Sequence, residues 1–377
     1  MEPTQTAYGI WSGGRFMHFG EVIEEERMQK LIRRAYDQGV RTFMTADTYG
    51  KGAADDMMGR ALSGIQRDTY CLVGIIGHDF YSAARLGSKG FPRFTNPEIR
   101  QPSEYKSYLR MAAEKSLKRC QTDKFDVLML HNPDSIGYSS DVVWNAMADL
   151  KAEGLTDKLG IAPGPANGFT LDILLNFQRF EELIDWAMVI LNPLEPWPGN
   201  LLLPGAEKHN VDLITRVVDY GGLFHDDVKP GHAFGQGDHR NYRPEGWVEA
   251  GYEKIEKMRE IAAAHGITML QLACLWNLSQ TRVKSVAPTL IQEAGDSAKQ
   301  IEDKLDELAS MPEVQFTDEE IERIREIGDN KGCMALKGGN PQYEGEPIAD
   351  RWELNPDLEG IGETWGIKPK EDLICVH

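Results

Sequence analysis

The sequence predicts a single (β/α)8 barrel with long loops at its C-terminal face and a C-terminal extension. Three observations carry the prediction. Eight short apolar runs alternate with longer amphipathic segments, the order expected of βα units around a parallel sheet. The 377 residues accommodate a barrel of about 250 residues plus insertions. The longest polar, Gly- and Pro-punctuated stretches follow strands, where a barrel builds its site. An open doubly wound sheet would place a Gly-rich dinucleotide turn after an early strand, and "GIWSGG" (9–14) is a poor match to G-x-G-x-x-G.

Taken in order, the expected strands are 8–11, 42–46, 70–76, 125–130, 158–162, 187–191, 212–218 and 283–287. The segment between the first two, "EEERMQKLIRRAYDQG", puts Met28, Leu31, Ile32 and Ala35 on one helical face, and Gly39 supplies its stop. Loops 77–102 and 221–246 follow the third and seventh strands and read as substrate-enclosing lids. Residues 1–328 form the expected barrel. Residues 329–377 form an extension that should pack over the same rim, because Trp352 and Trp365 would otherwise be exposed apolar mass.

Composition narrows the partners. A balance of 59 acidic against 41 basic residues, net −18, disfavours nucleic acid and anionic membranes, which are held by cationic patches. No run approaches the roughly 18 apolar residues of a membrane span, and the first residues lack the basic-then-apolar order of a secretion signal, so a cytoplasmic protein with a small-molecule substrate is expected. The five cysteines (71, 120, 274, 333 and 375) are widely spaced without C-x-x-C pairing and read as reduced structural thiols. Oligomeric state has no signature in the sequence.

The chemistry sits in a few motifs. "TADTYGKGAADDMMGRAL" (45–62) resembles the second-strand signature of the aldo-keto reductases, D-T-A-x-x-Y-G-x-G-x-S-E-x-x-L-G-x-A-L, matching at Thr45, Ala46, Tyr49, Gly50, Gly52, Gly59, Ala61 and Leu62. "FDVLMLHNPD" (125–134) resembles the fourth-strand motif ending in H-x-P-D, with His131 in the histidine place. "GGLF" (221–224) and "SVAP…SAKQIEDKL" (285–305) are similar to the family's cofactor-binding segments, and the likeness runs over roughly residues 7–328.

That resemblance implies hydride transfer between a nicotinamide cofactor and a carbonyl, with a tyrosine as proton donor made more acidic by a neighbouring Lys and Asp. Alignment on Tyr49 puts the Asp place at Met44, and "LVGIIG" (72–77) puts the Lys place at Ile75. Asp47 is a poor substitute, since family members also carry a polar residue there in addition to the strand acid. Paired loss is physically coherent: removing one member of a buried ion pair strands the other at about 3–5 kcal/mol, whereas replacing both by apolar residues can be neutral. Without the lysine, Tyr49 is expected to stay near its free pKa of about 10 or to rise with burial. His131, with an ordinary value of about 6.5, then becomes the better general acid/base.

Around these, Trp11, His78, Asp79, Met44 and Ile75 are candidates to line the substrate site, with Tyr81 and Arg85 as further loop candidates. The resemblance implies cofactor contacts at Asn192, Arg216, Gly222, Leu223, Pro288, Thr289, Gln300, Asp303 and Lys304. "LIQEAGDS" (290–297) has no Arg or Lys to grip a 2′-phosphate and carries Glu293 and Asp296, favouring NAD over NADP if a dinucleotide binds; binding of none stays open. "GIAPGP" (160–165) lacks the serine and asparagine that would hold the carboxamide. "HDDVKPGHAFGQGDH" (225–239) offers metal-ligand residue types in no recognisable spacing, and no metal is expected.

The leading expectation is an atypical aldo-keto-reductase-like oxidoreductase using a nicotinamide cofactor, NAD in preference to NADP, on a polar carbonyl or alcohol, sugar derivatives included. Its alternatives are a redox-neutral lyase or isomerase acting through His131 and Tyr49, and a catalytically silent ligand-binding subunit.

Overall fold

The computed structural model describes residues 1–86, 90–164, 168–333 and 354–374. Eight strands run in sequence order around one parallel sheet: β1 Ala7–Gly9, β2 Thr42–Ala46, β3 Cys71–Ile76, β4 Phe125–His131, β5 Thr156–Ala162, β6 Trp186–Ile190, β7 Asp212–Arg216 and β8 Val283–Ala287. Every neighbouring pair is parallel. A parallel bridge between Thr6 and Val286 joins β1 to β8 and makes the sheet a barrel. β2, β3, β4 and β6 are buried along their whole length, which is why they read as continuous apolar runs.

The helices cover the outside: α1 Glu25–Asp37, α2 Ala53–Leu62, α3 Tyr105–Arg119, α4 Ser135–Ser139, α5 Asp141–Ala152, α6 Thr170–Arg179, α7 Leu203–Lys208, α8 Trp247–His265, α9 Met269–Leu278, α10 Ile301–Ala309, α11 Asp318–Gly328 and α12 Pro356–Trp365. α1 buries Met28, Leu31, Ile32 and Ala35, and Gly39 follows it with φ 103°. Among the described residues no single helix is long and apolar enough to cross a membrane. Cys71, Cys120 and Cys274 are buried free thiols and Cys333 is exposed; Cys375 lies outside the described residues.

Three expectations need correction. β1 ends at Gly9 and not at Trp11, since Ile10 and Trp11 already lie in a turn. β7 stops at Arg216 and not at 218, because Val217 takes φ 60°, a left-handed conformation that ends a strand. The described part of the extension packs on the flank of the barrel, where α12 meets α6, and Trp365 lies 5.9 Å from the His209 ring, against a surface that Gly205 leaves bare. It reaches the strand-end side at Trp197, whose amide donates to Asn330 Oδ1 (2.9 Å), whose carbonyl accepts from Asn330 Nδ2 (2.9 Å), and whose Nε1 donates to the Asp372 carbonyl (2.7 Å). Trp352 lies outside the described residues.

Candidate active site

The C-terminal ends of β2, β3 and β4 bring four of the expected residues together. Met44 pairs with Val73 and Ala46 with Ile75, so residues 44 and 75 share a face of adjacent strands as diagonal neighbours. Both are completely buried. After β2 the chain turns sharply through Gly50 (φ 58°) and Lys51 (φ 54°), and a Cβ at Gly50 would come within 3.0 Å of the Ala53 Cβ. This turn presents the half-buried Tyr49, whose ring meets that of His131 edge-on (centroids 5.7 Å apart, 85°). The Tyr49 hydroxyl has no hydrogen-bond partner among the described residues, and the buried His131 Nδ1 has none either. Burial raises the Tyr49 phenol, with the Arg216 charge pulling it back.

His78 stands next to His131, ring centroids 4.7 Å apart. Both its nitrogens are committed: Nδ1 lies 2.9 Å from the Phe91 carbonyl and so donates, which leaves Nε2 to accept from the Asn132 amide (3.2 Å). Burial and Arg93 push its pKa down to about 3. Burial, then His78, Arg93 and Arg216, hold His131 well below the usual imidazole range. The expected acid with an ordinary pKa is therefore a neutral imidazole at physiological pH, because it is dry and surrounded by positive charge. It presents an unprotonated nitrogen, and the same burial and positive charge make it a weaker base than a free imidazole.

The other loop candidates serve the loop. Asp79 accepts from the amides of Tyr81 and Ser82, the Ser82 hydroxyl and Arg100 (2.9 Å), and these bonds hold its carboxyl low against burial. Tyr81 lies between Arg119 (2.8 Å) and Asp47 (3.4 Å), and Arg119 also pairs with Asp55 (3.2 Å). This polar cluster ties the loop to α2 and α3. Trp11 is 6% exposed and its indole lies over Gly9, where a Cβ would collide at 2.2 Å, so it packs on the rim.

Across the mouth, the ends of β6 and β7 carry charge. Arg216 donates through Nη2 to the carbonyls of Pro163 (3.3 Å) and Gly164, while its Nε has no partner among the described residues. Behind it is a cavity of about 10 Å³, room for about one water, lined by Pro163, Phe169, Met188 and Pro198. Glu195, in the turn after β6, is completely buried and neither carboxylate oxygen is hydrogen-bonded. Burial lifts its pKa to about 7 against the pull of the Arg243 and Arg216 charges. Arg243 is 5% exposed, has Nε and Nη1 unpartnered, and stacks on Tyr220 and Trp247. Asn192, also buried, has a free Nδ2. Sequence reading missed Glu195 and Arg243; the only signal was an acid embedded in the apolar, Pro-rich "NPLEPWPG" (192–199).

A nicotinamide dinucleotide meets two different environments here. Near the barrel axis, the unpartnered Asn192 Nδ2 and Arg216 Nε are buried polar atoms that a carboxamide-bearing ring would complete. At the expected phosphate end the chain satisfies itself. The amides of Gly222 (3.0 Å) and Thr289 (2.7 Å) both donate to Asp219, and His225 Nε2 meets the Thr289 carbonyl (2.9 Å). Arg240 clasps Asp238 and Glu293, and Lys304 is buried on Asp227 (2.6 Å). Leu223 and Pro288 are buried, Gln300 accepts from Arg27 (3.1 Å), and Asp303 is exposed. As the loops stand, the residues fit the nicotinamide end and do not fit a pyrophosphate. The metal-type residues of 225–239 are spent likewise, Asp226 on Arg259 and His232 on Glu293, and no three or more such side chains form a metal-ligand group among the described residues.

Comparison with known proteins agrees with the motif resemblance. A family model described as the aldo/keto reductase family matches residues 7–329. The chain is 24% identical over 335 residues to L-glyceraldehyde 3-phosphate reductase of Escherichia coli O157:H7, covering 84% of this chain and 86% of that protein. It is 23% identical over 346 residues to versiconal hemiacetal acetate reductase of Aspergillus parasiticus, covering 81% and 88%. An aldo/keto reductase from Klebsiella pneumoniae, solved with NADP and acetate, shares the fold with a TM-score of 0.57 at 19% identity, covering 92% of this chain and 98% of that one.

Proposed function

The chain belongs to the aldo/keto reductase family, and from that premise we propose an oxidoreductase that interconverts a polar carbonyl and its alcohol, sugar derivatives being the preferred substrate class. The observation that carries this reading is the Tyr49–His131 pair, two proton-handling groups in edge contact with hydrogen-bonding capacity unspent. The neutral His131 accepts the hydroxyl proton in alcohol oxidation, and the Tyr49 phenol donates to the oxygen in reduction. A nicotinamide dinucleotide, when bound, supplies or takes up the hydride. Asn192 and Arg216 would hold its nicotinamide end. The likeness to a sugar-phosphate reductase and to a structure solved with NADP supports this assignment. We assign NAD as the preferred form, because 290–297 offers no cation and Arg240 is already neutralised by Glu293 and Asp238.

The test is quenching of the eight tryptophans by NADH and NADPH, followed by turnover of small hydroxy-aldehydes and polyols. NADH should bind more tightly, and His131→Ala should lower turnover about 10²–10⁴-fold. Absence of binding by either nucleotide removes the oxidoreductase reading.

One observation favours a second reading. Asp219 already occupies the Gly222 and Thr289 amides, which suits redox-neutral elimination or isomerisation at the same Tyr49–His131 mouth. Turnover without any nicotinamide that disappears in His131→Ala would select it.

A further inference from the structure

A histidine is ordinarily turned and fixed by the hydrogen bond of the nitrogen that faces the protein. His131 lacks that device. Its Nδ1 is buried and has no partner among the described residues, so the orientation of the ring comes from what it packs against. We propose that His78 is the positioning residue for His131: its imidazole, locked at both nitrogens, is the wall that holds the His131 ring against Tyr49 and keeps water from it. This rests on the reading of His131 and Tyr49 as the proton-handling pair.

The contact is direct. The His78 and His131 rings meet edge-on with centroids 4.7 Å apart at 71°, and Tyr49 bears on the same His131 ring at 5.7 Å. The wall is also rigid. A backbone carbonyl only accepts, so His78 Nδ1, 2.9 Å from the Phe91 oxygen, carries the hydrogen, and Nε2 accepts from the Asn132 amide (3.2 Å). Asn132 directly follows His131 and is fixed in turn: its backbone amide donates to the Ala162 carbonyl (2.7 Å), and its carbonyl accepts from Arg93 Nε (2.6 Å). Protonating His78 would turn two donors, Nε2–H and the Asn132 amide, on each other, so the wall stays neutral.

The loop after β3 is built to deliver this ring. His78 and Arg93 form an antiparallel bridge, the Phe94 amide donates to the Gly77 carbonyl (3.0 Å), and the Tyr108 hydroxyl donates to the His78 carbonyl (2.8 Å). At Gly77 the chain passes so near β4 that a Cβ would lie 3.1 Å from the His131 carbonyl oxygen. The other groups around His131 are otherwise engaged. Arg93 is bonded to the Asn132 carbonyl, Arg216 to the carbonyls of Pro163 and Gly164, and Asp79 to Arg100. Ala162, the β5 neighbour of His131 in register, has no group to orient it.

The test uses the full-length, ligand-free protein with nitrogen-15-labelled histidine, in which one of nine imidazole signals is assigned to His131 by its loss in His131→Gln. His78→Ala empties the wall's place and admits water. The His131 midpoint should then rise by about one pH unit or more toward the ordinary imidazole value, and the Overhauser contact of its ring protons with Tyr49 should fade. His78→Phe puts back a ring of similar size without the nitrogens and should return most of both. A role confined to holding the loop predicts no such recovery, because phenylalanine cannot bond to Phe91 or Asn132. Either readout unmoved in His78→Ala, or moved as far in His78→Phe, overturns the proposal. If His78→Ala does not fold, His78→Asn, which also lacks the ring, decides by the same two readouts. No nucleotide or substrate is present, so failure of the oxidoreductase reading, seen as absence of NADH and NADPH binding, is a separate outcome.

Discussion

The two halves of the barrel mouth have moved in opposite directions. On the β2–β3 side, the positions that the family resemblance assigns to a charged couple hold Met44 and Ile75, packed and dry. On the β6–β7 side, Glu195 and Arg243 are buried and Arg216 is half-buried, with five polar atoms between them lacking partners among the described residues. Buried charge is costly wherever it sits, so a chain that discards it at one edge and accumulates it at another is using it at the second. The contrast also separates stability from function: the first edge is finished in the ligand-free chain, and the second is not.

The largest expected effect comes from forcing charge back onto the finished edge. Met44→Asp alone places an unpaired carboxylate among packed side chains and should cost about 3–5 kcal/mol in urea unfolding. Adding Ile75→Lys should recover part of that loss, because 44 and 75 are diagonal neighbours on adjacent strands. A double variant no more stable than the sum of the two singles predicts would mean that these side chains point apart.

On the unfinished edge the effect is smaller and depends on pH. Glu195 titrates at about 7 in the folded chain against 4.5 when free. The raised value means that the unfolded chain releases this proton first. Relative to Glu195→Gln, the wild type should therefore be at its best below pH 4.5 and lose stability as pH rises to about 7. The loss should total about 3 kcal/mol and level off above that. Equal pH profiles for the two proteins would show that Glu195 is solvated or paired.

How much of this could be read beforehand follows the same division. The strands were legible because a parallel barrel buries them on both faces, and 42–46 and 283–287 coincide with β2 and β8 to the residue. Tyr49 and His131 were legible because local motifs carry them. Glu195 and Arg243 were not, since a charge becomes significant only when folding removes its water, and 47 residues of intervening chain hide their proximity. The ordinary pKa expected for His131 failed for that reason: its value is lowered first by burial and then by His78, Arg93 and Arg216, none adjacent in sequence. The strand expected to run to 218 stops at 216 through a backbone angle that a valine does not advertise.

That angle gives the smallest and most local test of the comparison. Val217 holds φ 60° immediately after Arg216, a region in which a Cβ costs about 1–2 kcal/mol. Glycine removes that cost but adds about 0.5–1 kcal/mol of chain entropy in the unfolded state. Alanine keeps the Cβ and merely deletes the two methyls of a half-buried side chain. Val217→Gly should therefore be as stable as Val217→Ala or more so, by up to about 1 kcal/mol, reversing the order seen at ordinary strand positions. Thermal unfolding of the two variants reads this directly. If alanine proves the more stable, the chain leaves β7 in an extended path, and Arg216 is not held at the mouth by a strained turn.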